Sequence, residues 1–309
     1  MLVKDENITV VIQGDLFLDH NSSKYNVLNC ILSLKKILPA SRIVVSTWEN
    51  EKKHEDKLIN LVDKIVYSKL PDAIKSLDIS NNINRQVVST LSGLNEVKTK
   101  YALKIRANFS LDFKSSLFLE TNKINILEMV HNPIYTFNLF SLPDYVQFAQ
   151  IDILKNFWNL NIEEKDFFTQ KRFLGLFDNY SYPYNFKFSS EQYLGINWVK
   201  NNYEIDVLIE HKYDVNYVDF LLFKNVLDND FNFISYKNSG IVFNESYYLN
   251  NIFIEDTSSW LKKSSRKQFL YLLFRKYFIC YFKKQFYLSL LKVVLFKLKL
   301  FNKLKKELS

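Results

Sequence analysis

The first hundred residues alternate short apolar runs with amphipathic segments, and few architectures satisfy that alternation. Ile8–Gln13 (ITVVIQ) is apolar enough for a strand buried on both faces, and Gly14 ends it. A helix is expected from about Lys24 to Leu38, with Val27, Ile31, Leu34 and Leu38 inward and Pro39 as its stop. Arg42–Trp48 (RIVVSTW) reads as a second strand, Glu51–Val62 as a charged surface helix and Lys64–Ser68 (KIVYS) as a third strand. Beyond a polar loop around Pro71–Ser80, Ile83, Val87, Leu91 and Leu94 recur at helical spacing. Three strand–helix units in succession predict an α/β fold with a Rossmann-like, mostly parallel sheet and right-handed crossovers. Ligands of such sheets bind at the carboxyl ends of the strands. Gly14, Thr47, Trp48, Asn81, Asn82, Arg85 and Asn108 would then share one edge.

Within that frame one strand stands out. Tyr101–Asn108 alternates, with Tyr101, Leu103, Ile105 and Ala107 on one side and Ala102, Lys104, Arg106 and Asn108 on the other. Two cations and an amide on one strand face are costly to bury without an anionic partner. They point to an anion-binding site. The competing structural reading has Lys104 and Arg106 in salt bridges to a covering helix.

Charge divides the chain. The 309 residues carry a net +8, but from Leu261 onward fourteen Lys and Arg stand against Glu307 alone, so the preceding body is net acidic. A nucleic-acid binder would usually carry its basic face on the folded domain, and no nucleic-acid partner is expected. Hydrophobic content of 48 % is ample for a core over most of the chain. The chain is expected to divide into a domain over residues 1–255 and a basic amphipathic helical extension over 256–309, with Ile252–Ser259 as linker. No uncharged run in the extension approaches the ~18–20 residues of a membrane span. Apolar residues interrupted by lysines instead suit an in-plane helix on an anionic leaflet; the alternative is helices packed on the domain with solvated charges. Cys30 and Cys280 fit no disulfide or metal pattern, and acids precede the first apolar run, which does not read as a signal peptide. The body is therefore expected in the cytoplasm.

The middle of the chain is less regular. Ile124–Val130 and Ile134–Phe140 read as paired strands around His131-Asn132-Pro133, Asp144–Leu160 as containing a helix, and Tyr180–Asn185 as an aromatic loop. Ser189 or Ser190 should cap a further helix with Glu191 in its first turn. Tyr217–Phe243 mixes short apolar elements.

The segments ITVVIQG, VVSTW, NNINRQVVSTLSGL and YALKIRANF, followed in order by LPDYVQFAQIDILKNFW and SEQYLGINW, resemble the WavE lipopolysaccharide-synthesis family over about residues 8–200. The NNxNRQ helix followed by a KxR strand is the most specific part. The resemblance implies a bacterial surface-polysaccharide glycosyltransferase with a nucleotide-sugar-binding fold of GT-A type. It implies further that Gln13 and Gly14 line the donor loop and that Thr47 and Trp48 flank the nucleotide. Asn82, Arg85 and Gln86 would lie near its ribose or phosphates, and Lys104 and Arg106 on the strand before the metal-type motif. Family members tend to carry an acid where this chain has Asn108. Amide oxygen is a weaker ligand than carboxylate for Mg²⁺ or Mn²⁺. Asp112 is the candidate substitute ligand, and the cations could instead neutralise the diphosphate, so metal use stays open. The implied partners are a nucleotide sugar, a lipid-linked oligosaccharide acceptor of lipopolysaccharide or capsule, and the anionic cytoplasmic face of the inner membrane.

Sugar transfer from a nucleotide needs charge stabilisation on the departing diphosphate and a base for the acceptor hydroxyl. Arg85, Lys104 and Arg106 suit the first task, since guanidinium matches phosphate oxygens. Glu191 is the candidate base and Asp144 its competitor, against the plain reading of each as a helix-start acid. Trp48 could stack on a base or sugar, or simply pack. With five glycines and neither GxGxxG nor a Walker loop, dinucleotide oxidoreductases and P-loop kinases are disfavoured, and His20, His54, His131 and His211 lack metal-ligand spacing. Three alternatives stay open: a nucleotidyl- or phospho-sugar transferase, a non-catalytic membrane scaffold of a polysaccharide assembly complex, and, against the expectation above, single-stranded nucleic-acid binding through residues 261–309.

Overall fold

A computed structural model describes residues 1–18, 25–76, 79–128, 139–162, 187–210 and 216–243, with 266, 269 and 270. Its centre is a seven-stranded sheet. The strands are β1 (Ile8–Gln13), β2 (Arg42–Trp48), β3 (Lys64–Ser68), β6 (Tyr101–Arg106), β8 (Ile124–Glu128), β9 (Val146–Gln150) and β10 (Phe231–Ser235). Two small sheets flank it, β4 (Ile74–Ser76) with β5 (Ile79–Asn81), and β7 (Ser110–Leu111) with β11 (Ile241–Val242). The order across the large sheet is β10-β8-β9-β6-β1-β2-β3. β3, β2, β1 and β6 pair in parallel, β9 is antiparallel to both its neighbours, and β10 runs parallel to β8. The expected mostly parallel α/β sheet is thus present.

Both faces of the sheet are covered, which is why β1 is buried along its whole length. On one face lies α1 (Val27–Ile37), started by Asn26, whose Oδ1 accepts from the Asn29 N–H at 3.1 Å. Val27, Cys30, Ile31 and Leu34 share this core with Val10, Ile12, Val45, Leu103 and Ile105. The other face carries α2 (Ile83–Asn95), α3 (Ile151–Trp158), α4 (Ser190–Tyr203) and α5 (Tyr217–Asp230), packed through Ile83, Val87, Leu154, Phe157, Trp198 and Phe220. Ser189 caps α4 in a reciprocal capping box with Gln192.

The small, polar side of α2 also faces inward. A Cβ on Gly93 would stand 2.4 Å from Val11 Cγ1 and 3.0 Å from Ser46 Cβ, so only glycine lets α2 lie this close to the sheet. Val11 is buried and stiff at its branched carbon and cannot yield cheaply. Gly93→Ala is expected to destabilise by roughly 1–3 kcal/mol despite alanine's better helix propensity. Urea denaturation measures this, with the exposed Asn95→Ala in the same helix as the near-neutral control.

Several local expectations change. The charged stretch expected as a helix from Glu51 is a 3₁₀ run, Glu49–Lys57, since it has no apolar stripe to bury. The Pro71–Ser80 loop contains the β4–β5 hairpin. Asp144–Leu160 opens with a strand, β9, which runs into α3 without a break; β8 therefore pairs with β9 and β10. Tyr217–Phe243 is mainly a 14-residue helix followed by β10. Outside the described residues lie the proposed strand over 134–138 with its His131-Asn132-Pro133 turn, the loop Tyr180–Asn185, the linker and most of the extension. The 255/256 boundary lies there too.

Candidate functional site

The carboxyl ends of β2, β1 and β6 meet in one row, where Gln13 is in register with Ser46 on one side and Arg106 on the other. Gly14 follows at φ +101°, a conformation that favours glycine, and its N–H donates to Ser46 O at 3.0 Å. The chain thereby turns off the sheet edge at once. Ser89 of α2 donates to Gln13 Oε1 at 2.6 Å, fixing that side chain under the helix. Thr47 and Trp48 are buried, and the Trp48 indole N–H donates to Asp15 at 2.8 Å, tying the end of β2 to the loop after β1. Ser46 Oγ, Thr47 Oγ1, Gln86 Oε1 and Thr90 Oγ1 are buried polar atoms without a hydrogen-bond partner. Such atoms are uncommon in folded interiors; Gln86 and Thr90 belong to α2 and Ser46 to the strand face beneath it, while Thr47 points to the opposite face, the one that carries Val45 and α1.

At the end of β6 the charges expected on one strand face are brought together. The antiparallel run of β9 sets its start beside the end of β6, with Ile105 opposite Val146, so the residue two positions before β9 is delivered to the same edge. That residue is Asp144, fully buried. Its Oδ2 accepts from the Arg106 guanidinium, and its backbone carbonyl accepts from Lys104 Nζ. Arg106 also lies over the Tyr145 ring at 4.4 Å, and Lys104 over Trp158 at 4.9 Å. Beneath them Trp158 Nε1 donates to Gln147 Oε1 at 2.7 Å, and Gln147 Nε2 donates to Pro143 O at 2.9 Å. Gln147, Trp158 and Lys104 therefore hold the Pro143–Asp144 turn in place from below.

The two cations differ in what they can reach. Lys104 is fully enclosed, and burial pushes its ammonium down to about 7, with Asp144 opposing the shift and Arg106 adding to it. It acts on the edge only through Asp144. Arg106 keeps 26 % of its side chain exposed and can meet a ligand. Burial alone would raise the Asp144 carboxyl, but the Arg106 and Lys104 charges outweigh it and hold the group below its usual range. An anionic partner was expected for these cations, and the protein supplies one itself. The ion pair is to the turn before β9, where the competing reading had placed a covering helix.

A second cluster gathers helix amino termini. Asn81 Oδ1 accepts from the Ile83 N–H at 3.0 Å and from Ser190 Oγ at 2.8 Å, so the starts of α2 and α4 are pinned together. Glu191, half-buried in the first turn of α4, accepts the Leu142 N–H on its backbone carbonyl at 3.1 Å, two residues before Asp144. Asn82 is exposed at the start of α2. Arg85 donates from Nε to Pro71 O at 2.9 Å, and Asn84 bonds Asp72 O, so this turn of α2 also holds the loop before β4. Asn108 sits in the turn closed by Phe109 N–H on Arg106 O, with its Oδ1 buried and unpartnered. Asp112 is exposed beyond β7, and its N–H donates to Gly240 O, on the small β7–β11 sheet.

Thus Gln13, Gly14, Thr47, Trp48, Gln86, Lys104, Arg106, Asn108, Asp144 and Glu191 gather along one edge, while Asp112 follows β7 and is held through its N–H by Gly240 O. For a divalent cation, the described residues contain no group of three or more His, Cys, Asp or Glu. Asn108 Oδ1 and Asp144 Oδ1, both buried beyond the end of β6 and both lacking partners, offer two oxygens. That suits a Mg²⁺-type ion completed by phosphate and water. Gln147 and Trp158 escaped the sequence reading. The period-two pattern of YVQFAQ, with Gln147 on the Lys104 side, was the available signal.

Comparison with known proteins gives a match to the WavE lipopolysaccharide synthesis family over residues 8–299. The chain belongs to this family. The WavE match spans nearly the whole chain, further than the resemblance over residues 8–200. No curated protein matches. Among solved structures, S. aureus TarS matches with 13 % identity over 72 % of this chain and 40 % of its own, at a TM-score of 0.34. A 4-diphosphocytidyl-2C-methyl-D-erythritol synthase from Anaerococcus prevotii has 14 % identity over 53 % of this chain and 83 % of its own, at 0.33. A putative glucose-1-phosphate thymidylyltransferase from Bacillus anthracis has 7 % identity over 50 % and 76 %, at 0.31. These likenesses go no further than the general α/β arrangement. WavE membership itself ties the chain to lipopolysaccharide synthesis.

Proposed function

We propose that this WavE-family chain is a glycosyltransferase that moves a sugar from a nucleotide-sugar donor to a lipopolysaccharide-core or capsule polysaccharide acceptor on a lipid carrier. The observation that carries the reading is Arg106: a partly exposed guanidinium, clamped by Asp144 and seated on Tyr145, at the carboxyl end of β6. A guanidinium fixed before the ligand arrives stabilises charge on a departing diphosphate without reorganising during the reaction. Gln13, Thr47, Trp48, Asn82, Arg85 and Gln86 would bound the nucleotide. Asn108 and Asp144 would hold a Mg²⁺ or Mn²⁺ ion, which supplies further neutralisation of the leaving group when bound.

Glu191 is the proposed base. Asp144 is committed to Arg106, and a carboxyl held below its usual range is a poor proton acceptor. Asp144 therefore does not take the proton: through Oδ2 it holds Arg106 and through Oδ1 it would hold the ion, and Lys104, Gln147 and Trp158 position it in turn. Residues 256–309 are proposed to hold the enzyme on the cytoplasmic face of the inner membrane.

The test is a thermal-shift panel of nucleotides and nucleotide sugars, with and without Mn²⁺, followed by product analysis with the stabilising donor. A shift for one nucleotide class and release of the nucleoside diphosphate are expected. Release of pyrophosphate would instead establish a nucleotidyl transferase. No shift from any donor on folded protein would leave the scaffold as the reading to pursue.

A further inference from the structure

The amino-terminal half of α5 turns an apolar face outward, with Val218 63 % exposed, Tyr217 44 % and Leu221 39 %. Leu208, 64 % exposed, is tied to the same helix because its N–H donates to the Asp219 carboxylate at 2.9 Å. The chain returns to this face at Phe269, whose ring meets Tyr217 at 5.1 Å and Phe220 at 5.6 Å. Arg266 and Leu270, each in helical conformation, are both exposed. Large apolar side chains grouped on a surface mark an interaction site. Here the group lies where the chain enters a segment with fourteen Lys and Arg against one acid. Whatever covers this face must accept apolar side chains and attract cations at once.

We propose that this face rests on an anionic phospholipid bilayer, with Val218, Leu221 and Leu270 entering the acyl boundary and Arg266 among the headgroup phosphates. Asp206 and Glu210 flank Leu208 on its loop and are exposed, so the bilayer is engaged from the Val218–Leu270 side with Leu208 at the rim. The inference rests on the proposed membrane location and adds the body surface that makes contact. It does not depend on the reaction catalysed.

The test is co-sedimentation of the full chain with vesicles of phosphatidylcholine alone or mixed with phosphatidylglycerol. Binding to the mixed vesicles, falling steeply with salt, is expected. Val218→Asp with Leu221→Asp should weaken it at least about tenfold. Both positions are solvent-exposed, so the variant's melting midpoint and its donor-induced shift should match the parent's. The proposal is overturned if the parent binds neither vesicle, if it binds both equally, or if the double variant binds like the parent. Vesicle binding by a chain that responds to no nucleotide sugar would uphold this surface while the proposed reaction fails.

Discussion

Arg106→Ala is expected to destabilise the protein by roughly 3–5 kcal/mol and to abolish donor binding, because it leaves the fully buried Asp144 carboxylate without its ion-pair partner. The sign of the pH dependence should also invert. In the parent, Asp144 is held below its usual range, so its contribution to stability is present above the ordinary carboxyl range and is lost as pH falls through the folded value. Without Arg106, burial dominates and the carboxyl moves up. The variant should then gain stability as acidification neutralises Asp144, where the parent loses it. Urea denaturation from neutral pH down through and below the ordinary carboxyl range reads the difference. Adding Asp144→Asn should recover much of the lost stability, since the double variant buries no unpaired charge, but it should not recover donor binding. A double variant as unstable as Arg106→Ala would show that the ion pair is not what holds this turn.

Lys104 makes the second large prediction. Its ammonium titrates near 7 in the folded protein against about 10.5 for an exposed lysine. Between those values the unfolded chain binds more protons than the folded one, so stability attributable to this group rises with pH across the window. Each unit crossed adds at most about 1.4 kcal/mol. Lys104→Met, of similar length and without the charge, should remove that slope. Relative to the parent it should be most favoured near or below neutral pH, where the parent buries an ammonium. The cost is the hydrogen bond to the Asp144 carbonyl, about 1 kcal/mol. Urea midpoints of parent and variant from neutral to alkaline pH measure this directly. Parallel curves would mean that Lys104 titrates normally and that water reaches it.

Much of the sheet was legible because its first half obeys simple rules. β1 and β2 are apolar runs buried on both faces, and α1 carries an inward stripe, so their places follow from periodicity alone. β9 was not legible as a strand. Val146, Phe148, Ile151, Leu154 and Phe157 form a nearly unbroken apolar series, and Gln150 passes from strand to helix without Gly or Pro to mark the change. β10 is hidden similarly, since α5 enters it directly at Phe231. The site divides in the same way. Lys104 and Arg106 were conspicuous because charges on a core strand are expensive, and the Asn81–Arg85 helix start could be placed at the edge from order alone. Their partner Asp144 lies 38 residues beyond Arg106, and pairing across that distance is decided by the reversed direction of β9, which no local pattern carries.

That reversed strand also sets an order of assembly. β3, β2, β1 and β6 draw only on the first 106 residues and join through short crossovers, so they can pair while the rest of the chain is still being synthesised. β8 must wait for β10, more than a hundred residues further on, to cover its outer edge. Pairing across that separation carries the larger loop-closure cost, so the closure of this distant pair is expected to be the slower part of folding. Arg106 belongs to the part of the sheet that can pair first and Asp144 to the part that follows, so a chain truncated before β9 would hold its guanidinium with nothing to answer it.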